Sequence, residues 1–271
     1  MLNRRHLKSL VAVATLAAFV CLVLFPWELW YGGGVHLTDA MAPMSPTHPL
    51  GADNLGRDVL VRLAMAIRGA VLPLWLAVAA GCVVGIGASW MTLVWRQSGH
   101  GSALANGLDA IAGIGAGLPA VIVAFGLAVW WERGGLMPVS VALAVLFGLR
   151  SYLEVQDWAR QDGRLGYWTA HAALGGSVGK RLWRYGVFGA WRAPLLQSLA
   201  FHLRAAVAVE AALSYLGFGV QEPQASFGNM LSSHFDLYLK GDWQILIIIV
   251  AALVLVVAVP VAVSRLVLPV E

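Results

Sequence analysis

A helix needs about 20 mostly apolar residues to cross the hydrocarbon of a bilayer, and this chain offers such stretches repeatedly. They lie near residues 9–30, 70–95, 104–131, 136–153, 194–216 and 243–268. Runs of this length leave little sequence for any other architecture. Only 12% of the residues are charged, about half of what a soluble domain carries, and the mean hydropathy is +0.75. An ordinary soluble enzyme, a disordered tail and a nucleic-acid module are thereby excluded. The formal net charge of +4 does not revive the last, because the basic residues are spread between apolar segments rather than clustered. The expected fold is all-α, a polytopic membrane protein with about six transmembrane helices.

The basic segment Asn3-Arg4-Arg5-His6-Leu7-Lys8 ahead of the first run imitates a secretory signal. The run continues past Trp30 without a clear cleavage site, so it reads as a retained first helix. Orientation follows from Lys and Arg in the loops. With the N-terminus in the cytoplasm, Arg4, Arg5, Lys8, Arg96, Arg150, Arg160, Arg164, Lys180, Arg181, Arg184, Arg192 and Arg265 lie inside. Arg57, Arg62, Arg68, Arg133 and Lys240 lie outside. Both termini are therefore expected in the cytoplasm. Trp27, Trp30, Trp130, Trp131 and Trp243 then fall at the outer interface and Trp95 at the inner one, where an indole suits its half-polar surroundings. Cys21 and Cys82 both sit in apolar segments and read as free thiols.

Three segments are too long to be mere connections: 31–69 and 217–242 on the outer side, and 154–193 on the inner. Gly175-Gly176-Ser177-Val178-Gly179-Lys180-Arg181 imitates a phosphate-binding loop but fails on spacing. Such a loop needs four residues between the first glycine and the Gly-Lys pair, then Ser or Thr. Here three residues intervene and Arg181 follows. The histidines are scattered, with no metal-ligand spacing, and no catalytic triad or nucleophile elbow is recognisable. A polytopic chain of this kind reads as part of a transporter or as a membrane scaffold. If the protein uses ATP, another subunit binds it.

The most informative segment is His48-Pro49-Leu50-Gly51-Ala52-Asp53-Asn54-Leu55-Gly56-Arg57-Asp58-Val59-Leu60-Val61-Arg62-Leu63. Pro49 and Gly51 mark a turn. Asp53 or Asn54 can cap a following helix, on which Leu60, Leu63 and Ile67 share a face and Asp58 and Arg62 form an i,i+4 pair. Taken alone, this describes an amphipathic helix lying on the outer membrane surface.

The same segment resembles, almost residue for residue, the HPLGTDxLGRDVLSRL signature of permeases of ABC importers for di- and oligopeptides and nickel. Glu210-Ala211-Ala212-Leu213-Ser214-Tyr215-Leu216-Gly217-Phe218-Gly219-Val220-Gln221 is similar to that family's EAaLSFLGLGvQ. Pro223 and then Ser226-Phe227-Gly228-Asn229-Met230-Leu231 follow, the latter similar to SWGxML. The resemblance covers about residues 48–231. It implies a type I importer permease fold, with a first helix and outer loop over 1–69 and a core permease domain over 70–271. It also implies a second homologous permease subunit, two ATP-binding cassette ATPase subunits and a periplasmic substrate-binding protein, at the inner membrane. The chain itself is not expected to be an enzyme or to hold a cofactor. Leu50, Gly51, Asp53, Gly56, Arg57 and Asp58 are implied to form the outer mouth, facing the binding protein.

Importers of this kind couple to their ATPases through a short cytoplasmic helix, which must be dragged when the ATPase dimer closes. Tyr167-Trp168-Thr169-Ala170-His171-Ala172-Ala173-Leu174-Gly175-Gly176-Ser177 is similar to the family pattern YVEAARALGAS. This assigns ATPase coupling to Tyr167, Thr169, Ala170, His171, Ala173, Leu174, Gly175 and Ser177. Thr169 stands where the family has glutamate, and His171 where it has alanine. The Leu-Pro pair further on has no counterpart around Val187-Phe188 or Gly189-Ala190. An exposed ion pair is worth only about 0–1 kcal/mol, so docking can survive the lost glutamate.

Asp109, His202, Arg204 and Glu210 fall within or at the ends of apolar runs, where a charge should face protein or water. Arg204 and Glu210 are six residues apart and lie on different faces of a helix. Glu210, Ser214, Gly217 and Gly219 are assigned to the pathway or to helix packing. Gly81, Gly85 and Gly87, like Gly113, Gly115 and Gly117, offer small-residue faces for close packing. The resemblance implies ATP-driven import of di- or oligopeptides, with nickel or a metal chelate as the alternative. A non-transporting scaffold or regulatory subunit is the alternative of another class. A proton-driven carrier is poorly served by two buried acids.

Overall fold

The computed structural model describes residues 4–31, 33–97, 102–131, 134–162, 173–239 and 243–268. Among these, ordered structure is helical except for one isolated antiparallel bridge between Ala52 and Asp58. Four helices are long and apolar enough to cross a membrane: Val59–Arg96, Leu136–Asp162, Arg192–Tyr215 and Gln244–Val267.

Helix α1, Arg4–Leu24, ends at Phe25-Pro26, ahead of the short α2, Trp27–Tyr31. The expected run through residue 30 is therefore interrupted, and proline, which cannot donate a backbone N–H, explains the stop. Arg68 closes this end. Its Nε donates to Val23 O at 2.7 Å, its Nη2 to Phe25 O, and its Nη1 to Glu28 at 2.7 Å. These bonds occupy carbonyls that a helix C-terminus leaves free.

Helix α3, Val59–Ala66, passes through a π-helical turn, Ile67–Val71, into α4, Leu72–Gln97. The cap is Asp58, which accepts Val61 N at 3.1 Å. It is neither Asp53 nor Asn54. Val59, Leu60, Val61, Arg62, Leu63, Ala64 and Ala66 are all buried. The helix that read as amphipathic and surface-lying is instead enclosed and continuous with the next span, because protein covers its polar side too.

α4 packs along α7, Leu136–Asp162. Glycines set this approach. A Cβ on Gly81 would lie 2.1 Å from Ala144 O, and one on Gly85 would lie 1.9 Å from Gly148 O. Side-chain-free positions let two backbones touch. Gly87, Gly113 and Gly117 have open space instead.

The expected straight span near 104–131 is broken. Helix α5, Ser102–Gly117, and α6, Ala120–Trp130, meet at 93°. Pro119 is extended at the joint, and the residue before a proline disfavours the helical region. Arg150 on α7 aims Nη2 at the freed carbonyls of Ala116 and Leu118, each 3.4 Å away.

The short α8 is Val178–Arg181, and α9, Arg192–Tyr215, follows a π-helical stretch. α10, Phe227–Leu239, packs on α9, and α11, Gln244–Val267, packs on α1, α9 and α10. Phe147, Leu63, Ile67, Leu74, Leu213, Phe227, Met230 and Ile249 form the centre of the core.

Candidate functional site

The first motif folds into a closed knot. Gly51 and Gly56 have φ of +83° and +71°, a region that glycine enters without Cβ strain. Gly56 is also pressed against backbone, since a Cβ there would lie 1.8 Å from His36 O. Asp53 is fully buried. Its Oδ1 accepts the backbone N–H groups of Leu55 and Arg57, both at 2.9 Å. Its Oδ2 accepts Arg57 Nε and Arg62 Nη1, both at 2.8 Å. Leu50 packs beside the core. Asp58, besides capping α3, lies 3.1 Å from His48 Nδ1. The expected Asp58–Arg62 pair does not form, because Arg62 turns to Asp53.

Both arginines reach across the chain to the second motif. Arg57 Nη1 donates to Glu222 Oε2 at 2.6 Å, and Arg62 Nη2 to Glu222 Oε1 at 2.7 Å. Two cations and two carboxylates thus form a neutral quartet that ties residues 53–62 to residue 222. Burial opposes the charge of Arg57, but the hydrogen bonds to Glu222 and Asp53 outweigh it and raise its pKa above the ordinary value.

The second motif is equally compact. Glu210, buried on α9, accepts Ser214 Oγ at 2.6 Å, and Ser214 Oγ accepts Val220 N at 2.8 Å. Gly217 has φ +83° and turns the chain back. A Cβ on Gly219 would meet Ser214 Oγ at 2.2 Å, and one on Gly228 would meet Ala211 O at 2.1 Å. Asn229 Oδ1 accepts Ser226 N at 3.0 Å, while Asn229 N donates to Ser226 Oγ at 3.2 Å. This reciprocal pair starts α10 as a capping box does. Asn229 Nδ2 also donates to Gln224 O at 2.7 Å. Glu210 and Gly219 thus both meet Ser214 at the end of α9.

At the opposite end of the bundle a second polar cluster forms. Asp109 on α5 pairs with Arg96 at 2.5 Å and Arg160 at 3.4 Å, and accepts Tyr152 Oη at 2.6 Å. Gln156 Nε2 donates to Thr92 Oγ1 at 2.5 Å. Trp191 Nε1 donates to Asp162 at 2.7 Å, joining the end of α7 to the start of α9. The segment between them therefore leaves and returns at this end. Sequence reasoning left Asp109 without a partner, because Arg96 and Arg160 are 13 and 51 residues away, on other helices.

Of the coupling residues, Tyr167, Thr169, Ala170 and His171 lie outside the described residues. Ala173 is helical, and Leu174 and Gly175 form a turn with Gly175 at φ +76°. Ser177 Oγ accepts Lys180 N at 3.4 Å. Leu174, an apolar side chain at this turn, is 88% exposed. Beside this turn, Trp183 stacks on Trp90 with centroids 5.5 Å apart.

No model of a protein family matches the chain. A Brucella suis protein provisionally named a peptide transport system permease protein is 28% identical over 255 residues, which is 90% of this chain and 80% of that protein. The oligopeptide transport system permease protein OppC of Bacillus subtilis is 28% identical over 211 residues, or 78% of this chain and 67% of that one. The dipeptide transport system permease protein DppC of Haemophilus influenzae is 24% identical over 229 residues, or 83% and 72%. Similarity over most of this chain and most of each of these proteins makes this chain a helical relative of the permease proteins of peptide transport systems.

Proposed function

We propose that the chain is a transmembrane permease subunit of an ATP-driven importer. It passes di- or oligopeptides from a substrate-binding protein at the outer cap into the cytoplasm. One observation carries the reading. The two motifs that resemble importer permeases, 150 or so residues apart in sequence, are locked together by the Asp53–Arg57–Arg62–Glu222 quartet. The relatives named above are peptide systems, which favours peptides over nickel.

The partners are a second permease chain, two ATPase subunits and the binding protein. ATP is bound and hydrolysed in the ATPases. The broken pair α5–α6 starts beside the Asp109 cluster, while Gly135 N just beyond it donates to Gly219 O at 2.9 Å at the outer cap. These contacts support counting the pair as one span beside the four long helices, and the reading takes α1 as a sixth. Arg192 Nη2 donates to Val267 O at 2.9 Å, so α11 finishes where α9 begins. This supports a multi-pass inner-membrane protein with cytoplasmic termini and the 163–190 loop inside.

In this reading Leu174 inserts into the ATPase. Burying a leucine is worth about 1.5–3 kcal/mol. Purification of the tagged chain from native membranes in mild detergent is expected to recover a second permease and an ATPase in similar amounts. Leu174→Asp is expected to lower the ATPase recovered about tenfold or more and to leave the permease partner in place. A chain recovered without any ATPase, while a control importer stays whole, overturns the importer reading in favour of a scaffold.

A further inference from the structure

The outward face of α9 differs from the other outward faces. From residue 197 onward its exposed side chains are Gln197, Phe201, Arg204, Ala208, Ala212 and Tyr215. Steps of four and three residues keep them on one stripe. Neither leucine, isoleucine, valine nor methionine stands on it. The outward faces of α1, α4 and α11 carry exposed Leu10, Val83 and Ile247 with others of their kind. α9 is also the least apolar of the four long spans.

Arg204 stands 12 residues from the first residue of α9, about 18 Å along it and so at mid-helix. Its guanidinium carbon lies 5.0 Å from the ring centroid of Phe201, and no carboxylate among the described residues pairs with it. A charge at that depth is costly against lipid and marks a face turned to water or protein. The guanidinium borders a cavity of about 360 Å³ between α9 and α11, where Gln197, Ser264 and Arg265 also line the wall. That volume lies within the range of small-ligand sites.

We propose that this stripe lines the transport pathway and that Arg204, with Arg265 and Gln197 beside it, holds the carboxylate of a passing peptide. The proposal rests on the importer reading above. A guanidinium presents a planar fork that matches a carboxylate, and every peptide with a free C-terminus carries one. A hold by exposed cations is weak enough to release, as passage requires.

The test uses the assembled importer in proteoliposomes, with ATP-driven uptake of one tripeptide as the free acid and as its C-terminal amide. Wild-type uptake of neither peptide would defeat the importer reading itself. Given uptake, Arg204→Gln is expected to slow the free acid about tenfold and the amide less than twofold, and Arg204→Lys to recover at least half of the acid rate. In a Cys21→Ser background, with Cys82 left buried, Ala208→Cys and Ala212→Cys are expected to react with a membrane-impermeant methanethiosulfonate. Val83→Cys and Ile247→Cys are expected to resist it. Equal loss for acid and amide, or unreactive stripe positions in a transporting protein, overturns the proposal. So does an anionic phospholipid that co-purifies with wild type, but not with Arg204→Gln, while acid and amide stay undistinguished. In that case the cavity holds a lipid phosphate.

Discussion

Asp53→Asn is expected to lower the unfolding free energy, measured by denaturing-detergent titration from mixed micelles, by about 3–5 kcal/mol. Asparagine keeps one acceptor oxygen for the N–H groups of Leu55 and Arg57. It places an NH₂ where Oδ2 now accepts Arg57 Nε and Arg62 Nη1, so donors face donors. Two buried guanidinium groups then share a single carboxylate, Glu222. Losing one partner of a buried pair costs more than the pair contributes, because the other charge stays behind unpaired. Glu222→Gln is expected to cost only about 1 kcal/mol, since that side chain is 43% exposed and water can replace it. Adding Arg62→Met to Asp53→Asn is expected to recover part of the loss, because it removes one stranded charge. Additive losses would mean that the quartet does not act as a unit.

A second large effect is expected where α4 meets α7. Gly85→Ala places a methyl 1.9 Å from Gly148 O. The obstacle is backbone, so no rotamer relieves it and the helices must separate. Overpacking of this kind costs about 1–3 kcal/mol, occasionally more. Gly87→Ala, two residues on, meets nothing within 4 Å and is expected to be neutral or to stabilise by up to about 1 kcal/mol, by relieving the helix of a flexible residue. The same detergent titration separates the two. A Gly85→Ala protein as stable as wild type would show that the helices have room to spare.

The helical class, the long apolar runs and both motifs were legible in the sequence, because hydrophobic length and turn residues act locally. Gly51 read as a turn residue, and its φ of +83° agrees; the same need at Gly56 was not read. The partner of the motif's charges was not legible. Glu222 lies 160 residues from Arg62, and spacing arguments reach only one helical turn. The cap was misplaced for a local reason: Asp53 accepts the N–H groups of Leu55 and Arg57 in a loop that runs on to Asp58, and the helix starts only there. The bend at Pro119 could have been read from Gly117-Leu118-Pro119, but counting apolar residues alone runs straight over it. Gly87 looked like Gly85 in sequence; only the position of α7 tells them apart.

The continuous helix from Val59 to Arg96 is 38 residues, about 57 Å at 1.5 Å per residue, nearly twice the hydrocarbon thickness. Its first turn is gripped by the quartet and its last turn by Asp109. In the proposed importer it forms a strut between the two polar clusters. There, a push that tilts the outer cap would swing Arg96 at the far end, so that docking on one side would be felt on the other without any message passing through the lipid-facing helices.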